Sequence, residues 1–132
     1  MARAKKIVDA SVLVKCFVHE QGSEEAKALL QEHAAGNTLI IVPELLFSEI
    51  LNVLRYKNLK QDDLIAANDI LWNAQLHVER TNQSLLTRAV ELALKHKLSV
   101  YDATYLALAE LFGSPLYTAD EKLAKCPNAV RL

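Results

Sequence analysis

Thr-Leu-Ile-Ile-Val at residues 38–42, halted by Pro43, is the stretch that decides the fold. A strand with one wet face alternates polar and apolar residues, and this one does not. A run that is apolar on both faces and rich in β-branched residues suits a sheet covered by helices on both sides. Working outward, three similar signals appear: residues 7–8 (Ile-Val), ending at Asp9; the weaker 76–79; and 115–118 (Pro-Leu-Tyr-Thr). Residues 129–132 would add a last edge strand, for about four to five in all.

Helical patterns fill the intervals. Ser23 reads as an N-cap for 24–35, with Gly36 as its stop. Pro43 stands where proline is tolerated, in the first turn of a helix running to about Lys57. Residues 62–73 form another. Asn82 caps 83–97, whose last turn (Lys95, His96, Lys97) is cationic, as the helix dipole favours. Ser99 opens 100–112, Gly113 ends it, and a short turn follows Asp120. Alternating strands and helices predict an α/β fold over residues 1–132, a single domain with a central parallel sheet, right-handed crossovers and helices on both faces. In such sheets ligands bind beyond the carboxyl ends of the strands, where the strand order reverses. Asp9 and Asp120 fall just after strands.

The composition fits one compact domain: 132 residues, 52% hydrophobic, with three Gly and three Pro. No apolar run approaches the ~20 residues a bilayer-spanning helix needs. The basic start, residues 1–6, is followed by a stretch that Asp9 and Lys15 interrupt, so it does not read as a signal peptide. Cys16 and Cys126 lack metal-ligand spacing and are expected as free thiols in a cytoplasmic protein with no membrane contact. A net charge of −1 makes no electrostatic case for nucleic-acid binding. Any such attraction must come from bound metal and from local cations. Lys15, Arg55, Lys57, Lys95, Lys97 and Lys122 are the candidates, each equally an ordinary solvated side chain.

Four acids carry the chemical argument, each with a plainer explanation. Asp9 can be a strand-to-helix turn residue. Asp102 completes a Ser-x-x-Asp capping box with Ser99. However, residues 103–111 are so apolar that the helix should be buried almost all round, leaving an acid at a low-dielectric mouth. Asp120 can cap the final turn or share a capping box with Thr118-Ala119-Asp120-Glu121. Glu49 is the most telling. On a wheel of residues 43–57 at ~100° per residue, Ser48, Asn52 and Arg55 make the polar face. Glu49 falls instead between Val53 and Tyr56, near Leu45 and Leu46. A carboxylate in an apolar arc needs an ion pair, a metal, or a route to water at the arc's edge. Together the four form an oxygen donor set suited to Mg²⁺ or Mn²⁺. The four histidines, His19, His33, His77 and His96, show no ligand spacing and read as structural or exposed.

Around these acids the sequence resembles a known family. IVDASVLVKCF at 7–17, the glutamate of PELLFSEILNVL, YDATYLALAE at 101–110 and LYTADEKL at 116–123 resemble PIN domains, most closely the toxin component of VapBC-type toxin–antitoxin pairs. The likeness spans essentially the whole chain in motif order, and is most specific around Asp102 and Asp120. It implies a PIN-like fold and a site in which Asp9, Glu49, Asp102 and Asp120 hold one or two Mg²⁺ or Mn²⁺ ions. Ser11 and Thr118 would orient the carboxylates. It further implies an endoribonuclease that hydrolyses RNA phosphodiester bonds, a homodimer, and a cognate antitoxin. Cys16 stands where relatives often carry an aromatic residue, which bears on packing. Two other classes compete. A phosphoacceptor receiver domain would need paired acids after the first strand and an Asp after the third, yet residues 76–81 contain no Asp. The other is a PIN-like binding module without turnover.

Overall fold

In the computed structural model, which describes residues 3–132, five strands form one parallel sheet: β1 (Ala4–Val8), β2 (Thr38–Pro43), β3 (His77–Glu79), β4 (Leu116–Thr118) and β5 (Ala129–Arg131). Residues 1 and 2 of the basic start lie outside the described part. Ile40, Ile41 and Val42 are all wholly buried. Successive strand residues point to opposite faces, so both faces of β2 are covered, as the unbroken apolar run implied. β1 begins three residues earlier than its apolar pair suggested. Its Lys5 and Lys6 lay their ammonium groups over the rings of Phe112 and Tyr117, and their stems serve as strand surface.

The strand order is β3-β2-β1-β4-β5, with Ile7 opposite Ile41 on one side and Leu116 on the other. From β1 the chain winds outward through β2 to β3, then returns to the far side of β1 for β4 and β5. The order therefore reverses between β1 and β4, and in open α/β sheets ligands bind beyond the carboxyl ends of the strands at such a point. A receiver domain has the order 2-1-3-4-5, so this sheet excludes that alternative.

Seven helices flank the sheet: α1 (Ala10–Leu13), α2 (Ser23–Ala34), α3 (Leu45–Tyr56), α4 (Gln61–Asn73), α5 (Gln83–His96), α6 (Val100–Phe112) and α7 (Glu121–Ala124), with a 3₁₀ turn at Val14–Cys16. Two expectations need correction. Ser23 is the first residue of α2 and not its cap. Gly22 takes the cap position at φ +93°, and the buried Ser23 hydroxyl donates to Val18 O and accepts from Glu20 N. Pro43 ends β2 and does not begin α3; its missing N–H leaves the pairing to Glu44, whose amide donates to Glu79 O. Asn82 does cap α5, accepting from Leu85 N at 2.8 Å. Residues 103–109 of α6 are all buried, and Gly113 stops the helix at φ +59°. Phe112 lies edge-on to His77 and under Lys5, at the beginnings of β3 and β1. The opposite end of α6, with Asp102, therefore lies toward the carboxyl ends of the strands.

Both cysteines are free, and burial pushes the Cys16 thiol up to about 11, away from a reactive thiolate. Among the described residues no helix is long and apolar enough to cross a membrane.

Candidate active site

Asp9 follows β1 directly and caps α1, a helix too short for periodicity to reveal. Its Oδ1 accepts from Ser11 Oγ (2.6 Å) and Val12 N (3.3 Å), and its Oδ2 accepts from Thr118 Oγ1 (2.5 Å). The residue is only 5% exposed. Burial raises its carboxyl to about 6; the Ser11 and Thr118 hydroxyls and the Val12 amide pull it down, while the charge of Asp102 pushes it up. Thr118, wholly buried at the end of β4, also accepts from Asp120 N, and Ser11 Oγ accepts from Ala119 N. The two hydroxyls thus tie the ends of β1 and β4 together across the switch point.

Asp120 caps α7 through Oδ1, which accepts from Leu123 N at 2.8 Å. The plain capping reading is therefore correct for this residue, yet it occupies one carboxylate oxygen and leaves Oδ2 without a protein donor among the described residues. At Asp102 the capping box forms by half. The Asp102 amide donates to Ser99 Oγ (3.0 Å), but no bond returns from the Asp102 carboxylate to the Ser99 amide. Half-burial raises the Asp102 pKa, the charge of Asp120 adds to this, and the Ser99 hydroxyl and Lys122 oppose it.

Glu49 sits half-buried on α3. The wheel placed it inside an apolar arc, but the arc is the flank of the helix: Leu46 is wholly buried, whereas Val53 is 38% and Tyr56 72% exposed. The buried face is Leu46, Phe47, Ile50 and Leu54. Glu49 has no ion pair among the described residues. Its Oε1 accepts from the hydroxyl of Tyr105 at 2.5 Å, a partner 56 residues away that sequence reasoning missed. The available signal was Tyr105 itself, a buried phenol one turn after Asp102, since a buried phenol needs a polar partner. Burial raises the Glu49 pKa, Tyr105 lowers it, and Asp102 and Asp9 raise it further.

The four acids therefore form one electrostatic set, because Asp9, Glu49 and Asp102 repel one another and Asp120 repels Asp102. None of the ion pairs among the described residues includes any of them. Of the six candidate cations only Lys122 acts on the acids. Lys57 pairs with Glu20, Lys15 donates to Gln21 O, Arg55 lies over Tyr56, Lys95 acts on Glu110, and Lys97 ends α5. His33 is structural, accepting from Ile40 N at Nδ1 while Nε2 faces Gln75 O.

In donor chemistry the set fits a hard divalent cation: all oxygen, negatively charged, and in no ion pair with a lysine or arginine among the described residues, Lys122 alone acting on Asp102. Among the described residues, no group of three or more His, Cys, Asp or Glu side chains is placed closely enough to hold a metal ion as it stands.

A parallel α/β sheet with a coupled set of acids about its switch point defines the class. Residues 6–128 match the family model described as PIN domain. The chain belongs to the PIN domain family. It is 32% identical to Ribonuclease VapC3 of Pyrobaculum aerophilum, covering 92% of this chain and 93% of that one. It is 31% identical to Ribonuclease VapC9 of Mycobacterium tuberculosis, covering 94% and 96%. Among solved structures it is similar to the Mycobacterium tuberculosis VapC20, a sarcin-ricin loop cleaving toxin (TM-score 0.72, 20% identity, 90% and 92% covered). It is also similar to a chain of a toxin–antitoxin complex from Klebsiella pneumoniae (TM-score 0.68, 22% identity, 95% of each covered).

Proposed function

We propose that this chain, as one PIN-like domain, is a Mg²⁺- or Mn²⁺-dependent endoribonuclease and the toxin of a type II toxin–antitoxin pair. The observation that carries the reading is the coupled set of four acids, none in an ion pair among the described residues, at the switch point of a PIN-family sheet. Relatives named as ribonucleases over more than nine-tenths of the chain support the activity. The toxin–antitoxin neighbour supports a protein partner that masks the site in a cytoplasmic setting.

Asp9, Glu49, Asp102 and Asp120 would hold one or two ions. When bound, such a cation lowers the pKa of its water and offsets charge gathering on the phosphate. Ser11 and Thr118 fix both oxygens of Asp9, which holds this carboxylate in one orientation. Asp102 projects from the first turn of α6 and Asp120 caps α7, where exposed amides favour negative charge. Lys122 stands beside Asp102 and offers a cation to the phosphate backbone. A homodimer completes the reading by family likeness.

The test is cleavage of RNA by purified protein with Mg²⁺ or Mn²⁺, and its loss on adding EDTA. Full cleavage in EDTA would overturn metal dependence. Cleavage undiminished in Asp9→Asn would show that the activity is not this protein's. A protein that binds RNA and antitoxin but never cuts would establish the binding-module alternative.

A further inference from the structure

Tyr105 is one of the largest wholly enclosed side chains of the molecule, 1% exposed within α6. Its ring needs no polar contact to pack, yet its hydroxyl leaves α6 and donates to Glu49 Oε1 of α3 at 2.5 Å. Glu49 lies on a half-exposed flank, where a glutamate samples many rotamers; fixing such a side chain costs up to ~2 kcal/mol of conformational entropy. A tyrosine locked in the core has no such freedom to lose. Its hydroxyl engages one oxygen and leaves Glu49 Oε2 without a protein donor among the described residues. Tyr105 also stands three residues after Asp102 on the same helix, and residues three apart share a helix face. One rigid helix thus carries one acid and the clamp for another.

We infer that Tyr105 is a positioning residue for the acidic site: it holds Glu49 of α3 in register with Asp102 of α6, so that both carboxylates meet a divalent cation together. This rests on the metal-site reading above and extends it to a residue outside the four acids. The role is set by geometry, namely a buried donor, a half-exposed acceptor and a shared helix, and it requires the phenolic O–H. A phenylalanine keeps the packing and removes only the donor.

The experiment is direct Mn²⁺ binding, read as free Mn²⁺ by electron paramagnetic resonance, on wild type, Tyr105→Phe, Glu49→Gln and the double variant. Melting in EDTA confirms that each is folded. Loss of a carboxylate-orienting partner weakens metal binding by about tenfold or more. Tyr105→Phe should show that loss, and the double variant should bind no more weakly than Glu49→Gln alone, because the tyrosine acts through the glutamate. Wild-type Mn²⁺ affinity in a folded Tyr105→Phe, or a loss that adds fully to that of Glu49→Gln, overturns the role of Tyr105 while leaving the metal site standing. A wild-type protein that binds no Mn²⁺ overturns the metal reading and this role together.

Discussion

The two ends of α6 hold carboxylates of opposite fate. At the far end, Glu110 accepts a two-pronged bond from Arg88, at 2.7 Å from Nε and 2.9 Å from Nη2, and its pKa is lowered mainly by that bond. At the near end, Asp102 has no ion pair, and burial and the charge of Asp120 raise its pKa. The chain therefore has the means to neutralise an acid on this helix and uses it at only one end. The paired end is exposed and inexpensive to keep. The unpaired end stores repulsion that burial strengthens, and a fold keeps such an arrangement where function requires it.

The largest expected effect separates the two ends by activity. Asp102→Asn should reduce RNA cleavage by roughly two orders of magnitude or more, since several kcal/mol of transition-state stabilisation rest on the site. Its melting temperature should not fall, because the capping bond uses the Asp102 amide and not its carboxylate, and the substitution relieves repulsion from Asp120. Glu110→Gln should cut RNA at the wild-type rate. Equal losses in the two variants would erase the distinction.

Next comes the dependence of stability on pH. The Asp9 carboxyl is raised to about 6 in the fold, so between about pH 4 and 6 the folded state holds more protons than the unfolded one. Stability is fully present below the unfolded pKa and falls as pH rises through the folded value, by roughly 3 kcal/mol for this group. Glu49 and Asp102 are shifted in the same direction. In EDTA the protein should therefore melt higher at pH 5 than at pH 7, and Asp9→Asn should flatten the trend. A melting curve that rises from pH 5 to 7 would mean that the acids are compensated after all.

Glu49 sharpens the comparison further. Glu49→Leu relieves repulsion but leaves the Tyr105 hydroxyl buried without an acceptor, a penalty of about 1–3 kcal/mol. Glu49→Gln relieves the same repulsion and keeps an acceptor. In EDTA the glutamine variant should melt at or above wild type and the leucine variant below the glutamine one; calorimetry that reverses the last two would show the Tyr105 bond to be idle. The smallest effect is expected at Arg88→Ala, where loss of an exposed pair should barely shift the melting temperature.

Which parts were legible follows from how locally each is encoded. The strands declared themselves through short apolar runs, and their alternation with helices implied a parallel sheet; the strand order, and with it the switch point, came only with the structure. The lysines at the start of β1 concealed half of it, because their stems act as apolar surface. α1 escaped notice since four residues carry no period, although Asp9 as a turn residue was half of the answer. Asp102 and Asp120 were legible as helix-mouth acids. The environment of Glu49 was not, because a wheel built on one helix cannot know which flank its neighbours cover. Nor could it supply Tyr105, whose contact spans two helices.

The hydroxyl link from Thr118 to Asp9 joins residues 109 positions apart, and this has a consequence for the chain as it is being made. Synthesis delivers β1, β2 and β3 first, but Asp9 gains its second hydroxyl only when β4 inserts beside β1. A nascent chain that has emerged as far as α6 carries three of the four acids and no closed switch point. The site is thus timed as well as shaped: it comes into being only once β4 has been made, long after the strand that carries Asp9.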